Sequence, residues 1–278
     1  MFKNLLIDWV TELNEKIATA GDSGYLTISL SAFNPTLYAY IKTIMSTVVM
    51  PVAYVILALF CLLELYRCSV QADGAASGTT FSLEIVGKAM LHMILAKIAV
   101  DSTQIIMEAV YQVSQHITLG ISSIVSSGSV SSGLDLPAVI DEINGMGTGE
   151  QIGMLIELVI VKFGVLIILG IVNVICIGRF IEIYVMIAIA PIPIATLPSQ
   201  ELSSIGKNFF KSFAAVCVQG ILIYLVVSFF PVLISNDILG DSSVFGMLLY
   251  SLVLGVSVLS CGRWARSEEH TSELQSQV

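Results

Sequence analysis

The chain has 278 residues, 56% of them apolar and only 12% charged, with a formal net charge of −9. A soluble domain carries about a quarter charged residues, and several uncharged runs here approach 20 residues. The composition therefore excludes an ordinary soluble domain and predicts an all-α, polytopic transmembrane helical protein. The acids gather in loops and tails and no basic stripe exists, so contact with nucleic acid is indirect or made inside a channel.

Taken in chain order, Phe2, Leu5, Leu6, Trp9, Val10, Leu13 and Ile17 recur at three- and four-residue spacing, with Lys3, Asn4, Asp8, Glu12, Asn14 and Glu15 on the other side. That is an amphipathic helix. It lacks the continuous apolar core and small-residue cleavage site of a signal peptide. Residues 1–33 are read as a helix lying in the membrane interface, anchored by Trp9, plus a Gly/Ser/Asn linker, with packing on another subunit as the alternative.

Residues 34–117 are expected to hold the first two transmembrane helices. Ile44–Leu63 is free of charge, Lys42 and Glu64 flank it, Tyr38, Tyr40 and Tyr66 suit the interfacial belts, and Pro51 is expected to kink it. After the loop Gln71–Thr80, Phe81–Ile117 reads as one helical pattern, about 55 Å long and so longer than a bilayer needs. Its second half carries Lys97, Asp101, Gln104, Glu108, Gln112 and Gln115 within an arc of about 80°. Such a stripe is either the solvated face of a protruding helix or a surface turned to a water-filled lumen or a partner. Ionisable groups at membrane depth are expensive unless paired, and Lys97 and Asp101 at i,i+4 can pair.

Residues 118–151 are a Ser/Gly-rich extracytoplasmic loop without Lys or Arg, in which Asp135 precedes Leu136-Pro137 and a short helix through Ile143. Gly145-Met-Gly-Thr-Gly has the wrong spacing for a dinucleotide fingerprint. Residues 152–265 form a C-terminal transmembrane bundle. Ile152–Gly178 spans, with Glu157 and Lys162 near its start and Gly164, Gly170 and Gly178 permitting close helix approach. Arg179 then leads into Phe180–Leu197, interrupted only by Glu182 and holding Pro191 and Pro193, with Pro198 directly after. These prolines remove backbone donors and push the preceding residues out of the helical region. The segment reads as a kinked sixth span or as a broken, re-entrant element lining a pathway. A shared polar interior would serve both the freed carbonyls and the Lys97–Gln115 stripe, with Arg179 and Glu182 paired at i,i+3. Ser199–Lys211 is polar, Ser212–Ile234 is uncharged, Ser235–Ser243 holds two aspartates, and Val244–Cys261 is the last run, closed by Arg263 and Trp264. From Arg266 the composition turns abruptly polar. Residues 266–278 resemble a translated sequencing adapter and are expected to lack packed structure.

The sequence Ala188–Pro198, with its Ala-Pro-Ile-Pro, followed by Gly206–Phe213 and by Gln219 and Gly220, resembles the polytopic membrane subunit of type IV secretion and conjugation systems, the TrbL/VirB-type proteins. The resemblance runs from about Asn34 to Cys261. It implies a non-catalytic channel or scaffold subunit, oligomeric, in a membrane complex beside the ATPases and other secretion subunits. Nucleic acid would enter only as transported substrate.

Basic residues mark cytoplasmic loops. Arg67 and Lys88 place the first loop inside and the N-terminus outside, the base-free loop is outside, and Lys207, Lys211 and Arg263 are inside if Phe180–Leu197 re-enters. Five crossings plus one re-entrant element then satisfy every loop, with the C-terminus inside. No enzyme, cofactor or metal motif emerges. Gly206-Lys207 lacks the glycine and hydroxyl of a phosphate-binding loop, and the five cysteines show no Cys-x-x-Cys spacing. The alternative is a secondary transporter relaying ions through Lys88, His92, Asp101, Glu108, Glu157 or Glu182; such proteins often show an internal repeat, and none is visible.

Overall fold

The structure is a computed structural model that describes residues 2–20, 26–74, 79–127, 136–145, 147–199, 202–235 and 244–275. Among these residues it is helical throughout, without a strand: α1 (Phe2–Ala20), α2 (Leu30–Phe33), α3 (Pro35–Ile44), a π-helical segment (Met45–Val49), α4 (Met50–Gly74), α5 (Thr79–Asp101), α6 (Thr103–Ser127), α7 (Leu136–Gly145), α8 (Thr148–Ile189), α9 (Pro191–Ala195), α10 (Ser203–Ser235) and α11 (Val244–Gln275).

The early helix starts follow from local chemistry. Ser29 caps α2 by accepting the Ala32 N–H at 3.3 Å, and Asn34 caps α3 by accepting the Leu37 N–H at 2.9 Å, with Pro35 as the first helical residue. Pro51 has no N–H to give to the carbonyl one turn back. The chain widens to a π turn just ahead of it, where the Met50 N–H reaches Met45 O, and continues as helix. Pro35–Arg67 is thus a single 33-residue span.

Three further stretches are long and apolar enough to cross a membrane: Gly149–Ala195, Ser203–Phe230 and Leu248–Arg266. A fifth arises if Ala89–Asp101 and Thr103–Val125 form one broken span, bent by 65°. This bend corrects the single straight pattern expected over Phe81–Ile117. Asp101, Ser102 and Thr103 are three consecutive short polar residues that compete for backbone groups. The Thr103 hydroxyl donates to the carbonyls of Val100 at 2.8 Å and Ala99 at 3.1 Å.

A second correction concerns Arg179. The runs on either side of it, expected to be two elements, form one 42-residue helix, α8. Nothing at Arg179 stops a helix, whereas the prolines further on do. At Ala190 the helix tightens, with the Ala190 N–H on Ile187 O at 3.4 Å, and α9 follows as one turn. Thr196 closes that turn through its N–H at 3.2 Å and its hydroxyl at 2.7 Å, both on Pro193 O. The proline segment therefore satisfies carbonyls locally and follows directly on the end of α8.

The chain packs as two units assembled from interleaved segments: residues 1–28, 114–179 and 218–278 in one, and residues 29–113 and 180–217 in the other. In the first, Leu6, Val10 and Leu13 of α1 are fully buried with Ile143 of α7, Leu158, Val161 and Val165 of α8, Ile223 and Phe230 of α10, and Val258 of α11. The apolar face of α1 is thus covered by protein, and Trp9 packs in the same cluster instead of serving only as a lipid anchor. The second unit is centred on Met45, Ala53, Val100, Met107, Phe180, Ile183, Tyr184, Ile187, Ile194 and Phe213. Phe33 stacks on Phe180 with centroids 4.1 Å apart, and the Tyr184 hydroxyl donates to Leu30 O at 2.5 Å. Helix α11 carries the polar tail as helical backbone as far as Gln275, because an established helix adds one hydrogen bond per residue fixed. The tail side chains beyond Arg266, and residues 276–278, lie outside the described residues, as does Asp135 ahead of α7.

Candidate functional site

The bend between α5 and α6 lies inside the polar stripe and turns it into two similar clusters in the second unit. On α5, Asp101 accepts from Lys97 Nζ at 2.7 Å through one oxygen and from the Tyr54 hydroxyl of α4 at 2.7 Å through the other. Lys97 Nζ also stands 5.8 Å from the Tyr54 ring centroid. On α6, Glu108 accepts from Gln104 Nε2 at 2.7 Å and from the Tyr38 hydroxyl of α3, while the same Gln104 nitrogen lies 3.3 Å from that hydroxyl. Each carboxylate is held by a donor four residues earlier on its own helix and by a tyrosine from the α3–α4 span. The two arrangements recur at a seven-residue interval. They differ in charge: Asp101 pairs with a cation, whereas the groups bonding Glu108 among the described residues are neutral.

The ion pair is open to its surroundings, with side-chain exposures of 65% for Lys97 and 40% for Asp101. Hydrocarbon solvates neither group, so the pair would be costly on a lipid-facing surface. Beside the pair on α5, Ala96 and Val100 are buried, as are Thr103 and Met107 on α6. Here α5 packs with α4, and α9 packs against both. Pro191 and Pro193 are themselves buried, Pro198 and Glu182 half-buried.

Most of the other residues singled out in the sequence belong to the first unit. In the first unit Lys162 pairs with Glu12 of α1, which also takes Lys16 at 2.8 Å, and Lys162 Nζ lies 4.9 Å from the Trp9 centroid. Two lysines on one carboxylate hold the Glu12 pKa down at about 2. Glu157, also on α8, is half-buried. Gln115, at the far end of the stripe, donates to Thr27 O at 2.8 Å within the first unit, and Gln112 is exposed. Arg179 is 4% exposed and lies directly over Gly220 of α10, where an added Cβ would come within 1.8 Å of its Cζ. Gly220 is thus required by a buried guanidinium, a demand no sequence pattern announces. The sequence reading did not find the part of Tyr38 and Tyr54 in these clusters: Tyr38 reads as an interfacial anchor, and nothing local marks either as facing a carboxylate.

The sequence from residue 13 to residue 191 matches the model of the family described as TrbL/VirB6 plasmid conjugal transfer like protein. The chain belongs to the TrbL/VirB6-like family. No curated protein and no solved structure matches it. The matched residues comprise α3 to α8 and both polar clusters, and end at Pro191, ahead of the Gly206–Phe213 sequence. Membership in the TrbL/VirB6-like family, together with the apolar helices, identifies a membrane subunit of a conjugal transfer system, working with other subunits of that machinery.

Proposed function

We propose that the protein is a channel or scaffold subunit of a conjugative type IV secretion machine in the cell membrane, oligomeric and without catalysis of its own. Other subunits, the ATPases among them, supply the energy, and DNA is met only as transported substrate. The observation that carries this reading is the exposed Lys97–Asp101 pair on an apolar helix, held by Tyr54 in a family of conjugal transfer proteins. A side chain pair this costly in lipid marks a surface turned to a polar path or to a partner subunit.

The continuity of α8 supports a topology of five crossings. The N-terminus is outside, the base-free 118–151 loop outside, and the turn from Ala190 to Leu202 inside with Lys207, Lys211 and Arg263. The charges that suggested a re-entrant arm are met equally well by one long helix that ends in a proline turn. Deletion of the gene tests the reading. It abolishes conjugative transfer while the purified coupling ATPase keeps its activity. Undiminished transfer in the deletion strain, or proton-coupled solute uptake by the protein alone in liposomes, would overturn it.

A further inference from the structure

We infer that the exposed side of α6 between Ile105 and Val113 docks a different subunit of the membrane complex, one that brings an apolar helix with a lysine or arginine to the Glu108 carboxylate. The inference rests on the conjugal-transfer reading for the presence of neighbouring subunits.

Glu108 is half-buried, and both of its hydrogen bonds fall on one oxygen. Oε1 accepts from Gln104 Nε2 at 2.7 Å and from the Tyr38 hydroxyl, whereas Oε2 takes no hydrogen bond or ion pair among the described residues. Asp101 differs. Its Oδ1 takes Tyr54 and its Oδ2 takes Lys97, four residues earlier on the same helix. Gln104 stands four residues before Glu108, at the place of that lysine, and supplies a bond without a charge. The tyrosine and the glutamine thus fix the carboxylate and leave its second oxygen open. Protonation leaves the same gap, since an O–H on Oε2 then needs an acceptor. Thr103–Val125 is half of the bent pair that is apolar enough to form the fifth span, and lipid tails offer a carboxylate neither donor nor charge.

The surface beside Glu108 selects the occupant. Ile105, 71% exposed, Ala109, Gln112 and Val113, 61% exposed, follow one another at three- and four-residue spacing and form an open, mostly apolar ridge. Such a ridge suits a helix. A fixed carboxylate oxygen at its edge suits one cation on that helix, which supplies bond and charge together. A free metal ion fits poorly, because it takes several oxygen ligands and Oε2 is the only carboxylate oxygen of this cluster left without a donor among the described residues. A second copy of the chain also fits poorly: Lys97 and Lys162 are already held by Asp101 and Glu12, and Arg179 is buried.

The test keeps the whole transfer system in place. Photo-reactive benzoylphenylalanine replaces Ile105 in the full chain, in cells carrying the complete conjugation machinery, and the membranes are irradiated. The expected product is an adduct with a different subunit of that machinery, attached within one helical turn of a lysine or arginine in an apolar helix. Glu108→Gln lowers the adduct yield per molecule about tenfold, the effect of losing a charge-assisted bond. Membrane levels hold, because the glutamine oxygen still accepts from Tyr38 and Gln104. Glu108→Lys abolishes the adduct, and glutamate in place of the partner's cation restores it. Adducts with lipid alone or with a second copy of this chain, attachment remote from any cation, or a yield that Glu108→Gln leaves unchanged overturns the inference. None of these results touches the conjugal-transfer reading, which fails separately if deletion of the gene leaves transfer undiminished.

Discussion

The Asp101 carboxylate is the residue on which the functional reading turns, because Lys97 and Tyr54 both donate to it at 2.7 Å. Removing it strands the Lys97 ammonium on α5 and the Tyr54 hydroxyl on α4. Asp101→Leu should therefore lower membrane levels and cut conjugative transfer severalfold. Lys97→Leu combined with Asp101→Leu should recover membrane levels better than the single change, since no stranded charge remains. A double-mutant cycle scored by both readouts checks this, and strictly additive effects would show that the pair is not coupled. Glu12 gives a pH-dependent counterpart in the first unit. Its folded pKa of about 2 lies below the ordinary 4.5, so the stability it contributes is present above pH 4.5 and is lost as pH falls toward 2. The emission of Trp9, followed in a Trp264→Phe background, should shift between pH 4.5 and 2 as α1 loosens. Glu12→Gln should shift it already at neutral pH and flatten the profile.

Among the elements, the turn that joins α9 to α10 has the tightest steric demand. Gly206, in the first turn of α10, is buried, and a Cβ there would stand 2.7 Å from both Pro193 O and Leu197 Cδ2. One of these is a backbone atom held by Thr196, so relief requires the turn itself to shift. Gly206→Ala should cost about 1–3 kcal/mol, the usual range for overpacking a well-filled site, read as a lower unfolding temperature in detergent. Gly170→Ala, where an added Cβ meets nothing, is the matched control on α8 and should be near neutral in dilute detergent. An equal loss from both would mean that the contacts with Pro193 and Leu197 do not set the effect, since helix propensity by itself favours alanine over glycine.

At the scale of the whole molecule, the proposed five-crossing topology would place Asn144 and Ser204, both exposed, on opposite sides of the membrane. Single cysteines at these positions, in a background lacking the five native ones, should react with an impermeant maleimide from outside the membrane at Asn144 and only after lysis at Ser204. Reaction of both from outside would place the proline turn on the far side and sink the N-out, C-in arrangement.

The sequence by itself determined the helical class, the membrane environment and the stripe of Lys97, Asp101, Gln104 and Glu108. Apolar period, run length and charge are local quantities, and the low-dielectric solvent leaves few alternatives to a helix. The caps at Ser29 and Asn34 came only with the structure, although residue types that satisfy a first helical turn are recognisable in place. Nor did the sequence show the continuation of α8 through Arg179 or the break at Ser102. Apolar pattern alone does not say whether a charge ends a helix or is buried within it, nor when three short polar side chains will divert the backbone. Only the tertiary structure decided that Arg179 rests on Gly220, that Lys162 meets Glu12, and that Tyr38 and Tyr54 hold the two carboxylates. These are contacts between residues 41, 150, 70 and 47 positions apart. Their partners are set by which helix faces come together, and that depends on packing no single segment encodes.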